Sequence, residues 1–155
     1  MIYVIITTSI FFLELILKNF VEKKGKTGAT KTILSGKLLV RKCHNKGVML
    51  NIGQTRQKLV AGISLGLCVL VTAAAIICGK DFGRLQRIGL SLLLGGGYSN
   101  TYDRIFRKYV VDYISFGVKN KWLRQVVFNL ADFCIMAGAI LIVAGGLKDE
   151  DISKR

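Results

Sequence analysis

Residues 95–116 read GGGYSNTYDRIFRKYVVDYISF, and residues 128–140 read FNLADFCIMAGAI. The first stretch leaves an apolar run through small and amide side chains. It turns charged at Asp103 and Arg104, then alternates as VVDYI around Asp112. The second enters another apolar run carrying Asn129 and Asp132 one helical turn apart. Polar and ionisable groups inside or at the ends of apolar segments are expensive, and they mark functional sites. Asp112 and Asp132 are near enough along the chain to meet at a membrane surface.

Outside this stretch the chain is apolar in blocks. Of 155 residues, 52% are hydrophobic, and the mean hydropathy is +0.46. Blocks of that length, rather than an amphipathic period, predict membrane-spanning helices. The predicted fold is a single all-α membrane domain with four transmembrane helices, at about 1–20, 59–79, 86–103 and 126–147. Loops 21–58 and 104–125 lie on one side, with a small β element. The first run lacks the basic start and the small-residue cleavage site of a signal peptide, so it is expected to remain as an uncleaved span. Glu14 and Lys18 inside it are four apart and share a helix face. They either snorkel at the span's end or brace the site. Residues 59–79 carry no charge in 21 positions.

The third span is weaker, with an apolar first half and a small, polar second half. Its glycines cost helix propensity and imply close approach by another helix or a ligand. Asn100, Asp103 and Arg104 fall on one face. Asp103 with Arg104 is either part of a site or a salt-bridge cluster ending the span. In the first loop, EKKGKTGATKT reads as flexible. ILSGKLLVRKCHNKGVMLNIG reads as strands or a small hairpin turning at HNKG. Asn45 and Gly47 fit a tight turn there that places backbone donors near a bound chain, or simply a solvated hairpin. Trp122 suits an interfacial anchor, and the tail from Lys148 reads as disordered.

The net charge of +14, spread over loops between apolar spans, favours anionic lipid headgroups as partners. No nucleic-acid-binding signature accompanies it. Cys43, Cys68, Cys78 and Cys134 lack metal-ligand spacing, and Cys43 with His44 reads as structural. Neither a metal nor a cofactor is expected. The remaining chemistry is that of two carboxylates. Close carboxylates cannot both ionise, so one stays protonated and donates while the other acts as base on a water. Asn100 and Asn129 offer amides to orient them.

These motifs carry a resemblance. GGxxxNxxDR, VVDYI and FNLAD followed by an apolar helix resemble the signature of signal peptidase II, the lipoprotein signal peptidase. Glu14-x-x-x-Lys18 is similar to that family's D-x-x-x-K, and Asn45-Lys46-Gly47 to its N-x-G. The resemblance implies a membrane aspartic endopeptidase that removes the signal peptide of prolipoproteins before a diacylglyceryl-modified Cys. It implies Asp112 and Asp132 as the catalytic dyad. Asn45, Gly47, Asn100, Asp103, Arg104 and Asn129 would be substrate-binding, with Glu14 and Lys18 structural beside the site. It also implies lipid-modified prolipoproteins as partners, a globomycin-type inhibitor in the same site, and residence in the bacterial cytoplasmic membrane, with the small β element extracytoplasmic and the site facing outward. A monomer is expected. The chain departs from the pattern at Glu14 for Asp, at Val48-Met49-Leu50 after Gly47, at Tyr98 and at Phe133.

The positive-inside rule opposes that orientation. The outer loops would hold 10 Lys and Arg in residues 22–58 and 6 in 104–125, against 3 in 80–87 and 3 in the tail. The alternatives are an inactive relative that binds lipopeptide or anionic lipid, and a proton relay through Asp103, Asp112 and Asp132.

Overall fold

The computed structural model describes residues 1–26, 28–47 and 53–153, with side chains to Lys148. Three long helices have their apolar surface outside. They are α1 (Ile2–Lys24), α2 (Gln57–Cys78) and α5 (Leu130–Ser153). Each is long and apolar enough to cross a membrane. On α1 only Glu14 and Lys18 are buried, whereas Phe12, Ile16 and Phe20 are exposed. This inversion suits a surface solvated by acyl chains, where hydrophobic side chains gain nothing by turning inward.

The centre of the bundle is α3 (Arg84–Tyr102), whose buried residues are mostly small or polar: Gly89, Ser91, Gly95, Gly96, Ser99, Asn100 and Thr101 among them. It is not one of the three apolar spans among the described residues, because its side chains face protein. The glycines set the approach of α5. A Cβ on Gly89 would lie 2.6 Å from the Gly138 carbonyl oxygen, and one on Gly96 would collide with that of Ala131. Another helix, rather than a ligand, therefore occupies the space that the three-glycine segment opens.

After Tyr102 the helix widens into a π turn, Asp103–Arg107, stopped by Lys108 in the left-handed region (φ 68°). Strand β3 (Val110–Phe116) follows, where alternation predicts it. It pairs antiparallel with β2 (Leu38–Asn45), which pairs with β1 (Thr30–Ile33). The hairpin turns at Leu34–Lys37 and not at HNKG, which instead closes β2. Leu34 and Ser35 take positive φ there, with Gly36 beside them. The EKKGKTGATKT segment is partly ordered: α1 runs on to Lys24, and β1 begins at Thr30.

A short helix, α4 (Lys121–Gln125), is capped by Asn120, whose Oδ1 accepts from the Trp122 and Leu123 amides. The last span starts at Leu130, later than expected. Phe128 is held in extended form against β3, donating to the Ile114 carbonyl (2.6 Å) and accepting from the Tyr113 and Ile114 amides. Helix α5 then continues through Ser153, because its Lys-Asp-Glu-Asp segment holds no helix breaker.

Candidate active site

The start of α5 explains the local order around Asp132. Asn129 is its N-cap: its Oδ1 accepts from the Asp132 amide (3.0 Å), and Asp132 Oδ2 accepts from the Asn129 amide (2.9 Å). This is a reciprocal capping box, legible in N-L-A-D, which satisfies two donors the helix would otherwise leave bare. The next amides are met from elsewhere in the fold. Leu130 donates to the Tyr113 hydroxyl (3.2 Å), and Ala131 to Glu14 Oε1 (3.2 Å). Tyr113 in turn donates to Glu14 Oε2 (2.8 Å). Asp132 thus sits in a helix end held by α1 and β3.

The same asparagine reaches the second carboxylate. Asn129 Nδ2 donates to Asp112 Oδ1 (2.7 Å) and Asn100 Oδ1 (3.2 Å). Asn100 Nδ2 donates to Asp132 Oδ1 (2.8 Å), and Asn45 Nδ2 to Asp112 Oδ2 (3.1 Å). The two aspartates are thereby spaced by amides from α3, β2 and the α5 cap. Burial first, and then the Asp132 carboxylate, push the Asp112 carboxyl up from 3.8 to about 7.

Beneath this layer lies a buried charge cluster. Lys18 and Glu14 are both fully buried, so they brace the interior and do not snorkel. Lys18 Nζ bonds Asn100 Oδ1 (2.8 Å) and Ser99 Oγ (3.1 Å), pairs with Asp103 Oδ2 (3.1 Å), and lies 3.8 Å from Glu14. Arg107, not Arg104, completes the pairing of Asp103 (3.1 Å). Two cations thus balance two carboxylates, without which so much buried charge would be prohibitive. Asp103 Oδ2 also accepts from the Val111 amide (3.2 Å), tying the π turn to β3.

Strand β2 is placed by a bulge and a clamp. Its register against β3 shifts between Val40 and Cys43. That extra residue turns the alternation over, so Cys43 and Asn45 share Asp112's face. Lys42 and His44 face the end of α1, where Glu22 takes both, at 2.6 Å each. His44 also stacks on Tyr109, with centroids 4.0 Å apart.

A cavity of about 290 Å³ opens over the two aspartates. Asn45, Asn100, Arg104, Asp112 and Asp132 form its polar side, and Val126, Phe128, Ile135 and Met136 part of its apolar side. Met136 is also exposed on the outside of α5, so the apolar wall reaches the lipid-facing surface. Arg104 donates to the Asn100 carbonyl (3.3 Å). Its buried Nε has no partner among the described residues. A larger groove of about 610 Å³ between α1, α2 and α3 holds no carboxylate.

The profile of signal peptidase (SPase) II covers residues 6–148. The chain belongs to the signal peptidase II family. The lipoprotein signal peptidase of Enterobacter sp. (strain 638) is 38% identical over 95 residues, which are 61% of this chain and 55% of that protein. That of Salmonella newport (strain SL254) is 38% identical over 94 residues, with the same coverage. The match thus spans about half the length of these curated relatives. Two solved bacterial membrane enzymes share the fold. One, determined by the in meso method at 2.3 Å resolution, superposes with TM-score 0.83 at 22% identity, covering 96% of this chain and 88% of that one. The other, at 1.9 Å, gives TM-score 0.80 at 20% identity, covering 95% and 93%.

Of the site residues expected from the sequence, Asn45, Asn100, Arg104, Asp112 and Asp132 line the cavity, and Asn129 bonds both aspartates. Asp103, Glu14 and Lys18 lie behind that wall. Gly47 is also off it, donating its amide to Asn45 Oδ1 (3.1 Å) and thereby turning Asn45 toward Asp112. Tyr98 and Phe133 do not intrude. Tyr98 meets Thr72 Oγ1 (2.8 Å) on the other groove, and Phe133 stacks with Phe128 and Phe116. Val48, Met49 and Leu50 lie outside the described residues.

Several residues escape the sequence reading, Arg107 among them. Tyr113 and Ser99 are ordinary neighbours of motif residues, with no spacing signal. Cys43, which reads as structural in the sequence, stands on the cavity wall.

Proposed function

We propose that this chain is an aspartic endopeptidase that removes the signal peptide from diacylglyceryl-modified prolipoproteins, cutting before the lipidated Cys. The observation that carries this reading is the Asn129 side chain, which joins Asp112 and Asp132 at a cavity whose apolar wall reaches lipid. A lipid-anchored peptide laid along α5 would bring its scissile bond to the pair.

The pair shares one proton and titrates as a unit. Asp112, buried and pushed up to about 7, is the member that holds it. Water between the two carboxyls loses a proton to Asp132 as its oxygen attacks the scissile carbonyl carbon. Asp112 gives its proton to the carbonyl oxygen. The resulting diol collapses with C–N cleavage as Asp112 takes back a proton from one diol hydroxyl and the proton on Asp132 passes to the leaving amine. Asn45, Asn100 and Asn129 fix the carboxylates through this exchange, and Arg104 offers its free N–H to a substrate carbonyl. Glu14, Lys18 and Asp103 hold the frame.

The whole chain would act as one membrane-embedded domain. Helix α3 would be the fourth span, enclosed by the three lipid-facing ones. The protein would sit in the bacterial cytoplasmic membrane as a monomer, with the sheet and the dyad facing outward and a globomycin-type inhibitor competing for the cavity.

The test is incubation of the purified protein with a diacylglyceryl-modified prolipoprotein, beside Asp112→Asn and Asp132→Asn. Loss of the signal peptide with the native chain alone would support the peptidase. Substrate binding without cleavage by a folded native chain would replace it with a lipopeptide-binding relative.

A further inference from the structure

The sheet ends in a tip built from the β1–β2 turn, the loop after β3, and α4. It is one fastened unit. The Gly117 amide donates to the Lys37 carbonyl (2.8 Å), and a Cβ on Gly117 would collide with the Gly36 backbone. Arg41 Nη2 donates to the Arg124 and Gln125 carbonyls at 2.7 and 3.0 Å, tying α4 to β2. The turn holds Leu34 in the left-handed region (φ 52°) with its side chain 63% exposed. Leucine there is strained, and its apolar group gains nothing from water.

The tip's surface has two chemistries. Ile33, Leu34, Phe116, Val118, Trp122 and Leu123 are large, apolar and exposed. Between them stand the exposed Lys31, Lys37, Lys119, Lys121 and Arg124. No acidic residue occurs in 23–80 or 113–131. The tip also lies beside a membrane helix. Phe116 stacks edge-on with Phe133 in the first turn of α5 (6.3 Å), and Phe128 packs against both. Apolar and aromatic groups interleaved with lysine, level with the end of a spanning helix, match the interfacial zone of a bilayer. Unopposed positive charge selects its anionic headgroups.

We propose that this tip docks onto anionic phospholipid headgroups in the leaflet on which the sheet lies. Docking fixes the height of the sheet, and with it Asp112, relative to the membrane surface. It also accounts for basic loops on the side where the positive-inside rule does not place them, since headgroups of the same leaflet neutralise them. Headgroup binding needs no peptidase activity, so its test and the cleavage test fail separately.

Trp122, the chain's single tryptophan, lies in the tip and reports on it directly. The full-length protein is placed in nanodiscs of phosphatidylcholine containing a minority of phosphatidylglycerol. Bromine is put on the acyl chains of one lipid or the other, and Trp122 emission is followed. At equal brominated fraction, the phosphatidylglycerol is expected to quench several-fold more strongly. Each basic group near an anionic surface enriches that lipid about fivefold, before saturation. High salt should abolish the preference. So should the combined Lys31→Gln, Lys37→Gln, Lys119→Gln and Lys121→Gln variant, while quenching by brominated phosphatidylcholine persists and reports an intact tip. Equal quenching by the two lipids in the native chain would overturn the proposal. So would emission untouched by either, or a preference for phosphatidylglycerol that salt leaves unchanged. The salt arm uses the native chain, so a variant that fails to fold leaves the test decisive.

Discussion

Asp112→Asn should abolish cleavage and yet stabilise the protein above neutral pH. The unfolded chain gives up this proton near 3.8, whereas the folded chain keeps it to about 7. Between those values the native state binds more protons than the unfolded one, so native stability falls as pH rises through the window and levels off above it. A rise of about three pH units corresponds to about 4 kcal/mol at about 1.4 kcal/mol each. Roughly a third of that is already present at about pH 5, so the loss from there to about pH 8 is about 3 kcal/mol. Asn cannot ionise. It keeps an acceptor for Asn129 Nδ2 and loses the Asn45 contact, a difference of about 1 kcal/mol that does not depend on pH. Thermal unfolding in detergent, scanned from about pH 5 to about pH 9, should therefore show the variant gaining about 6–12 °C in Tm relative to the native chain, at about 2–4 °C per kcal/mol for a chain of this size. A Tm difference that stays flat across that range would refute a neutral, buried Asp112. A native chain that gains on the variant as pH rises would refute it more strongly.

Three further outcomes follow from the same contacts. Asn129→Ala removes the α5 cap and the link between the aspartates. It should cost about 1–2 kcal/mol in thermal unfolding and lower kcat by about 100-fold or more with a smaller change in KM, whereas equal kcat would exclude the linking role. Lys18→Met leaves Glu14 and Asp103 without their shared cation and should destabilise the protein by about 3–5 kcal/mol. Adding Glu14→Gln should recover part of that, and purely additive losses in the double variant would show that the two are not coupled. Gly96→Val drives a side chain into the Ala131 carbonyl. It should separate α3 from α5 and cost more than about 3 kcal/mol, measured as loss of folded protein in detergent, while Gly62→Val on the open face of α2 serves as the tolerated control.

Much of the protein was legible along the chain because the membrane simplifies it. A backbone that crosses lipid must satisfy its own hydrogen bonds, so long apolar runs become helices, as α1, α2 and α5 do. A polar group in or beside such a run stands out, as Asn100, Asp103, Asn129 and Asp132 do, whereas Asp112 stands out in the alternating stretch between two runs. The alternation of VVDYI set β3, and N-L-A-D carried the cap that orders Asp132.

What spacing leaves open is which polar group meets which. Asp103 takes Lys18 and Arg107 in place of its neighbour Arg104, because a π turn and a distant helix decide the geometry. Phe128 stays extended, delaying α5, because the edge of β3 offers its backbone partners. Tyr113 and Glu14 close the end of α5 from two other elements. One extra residue in β2 between Val40 and Cys43 decides that Asn45, and not His44, faces Asp112. Strand alternation propagates such a shift to every later side chain. The shift depends on pairing across the sheet, which no local pattern in β2 records.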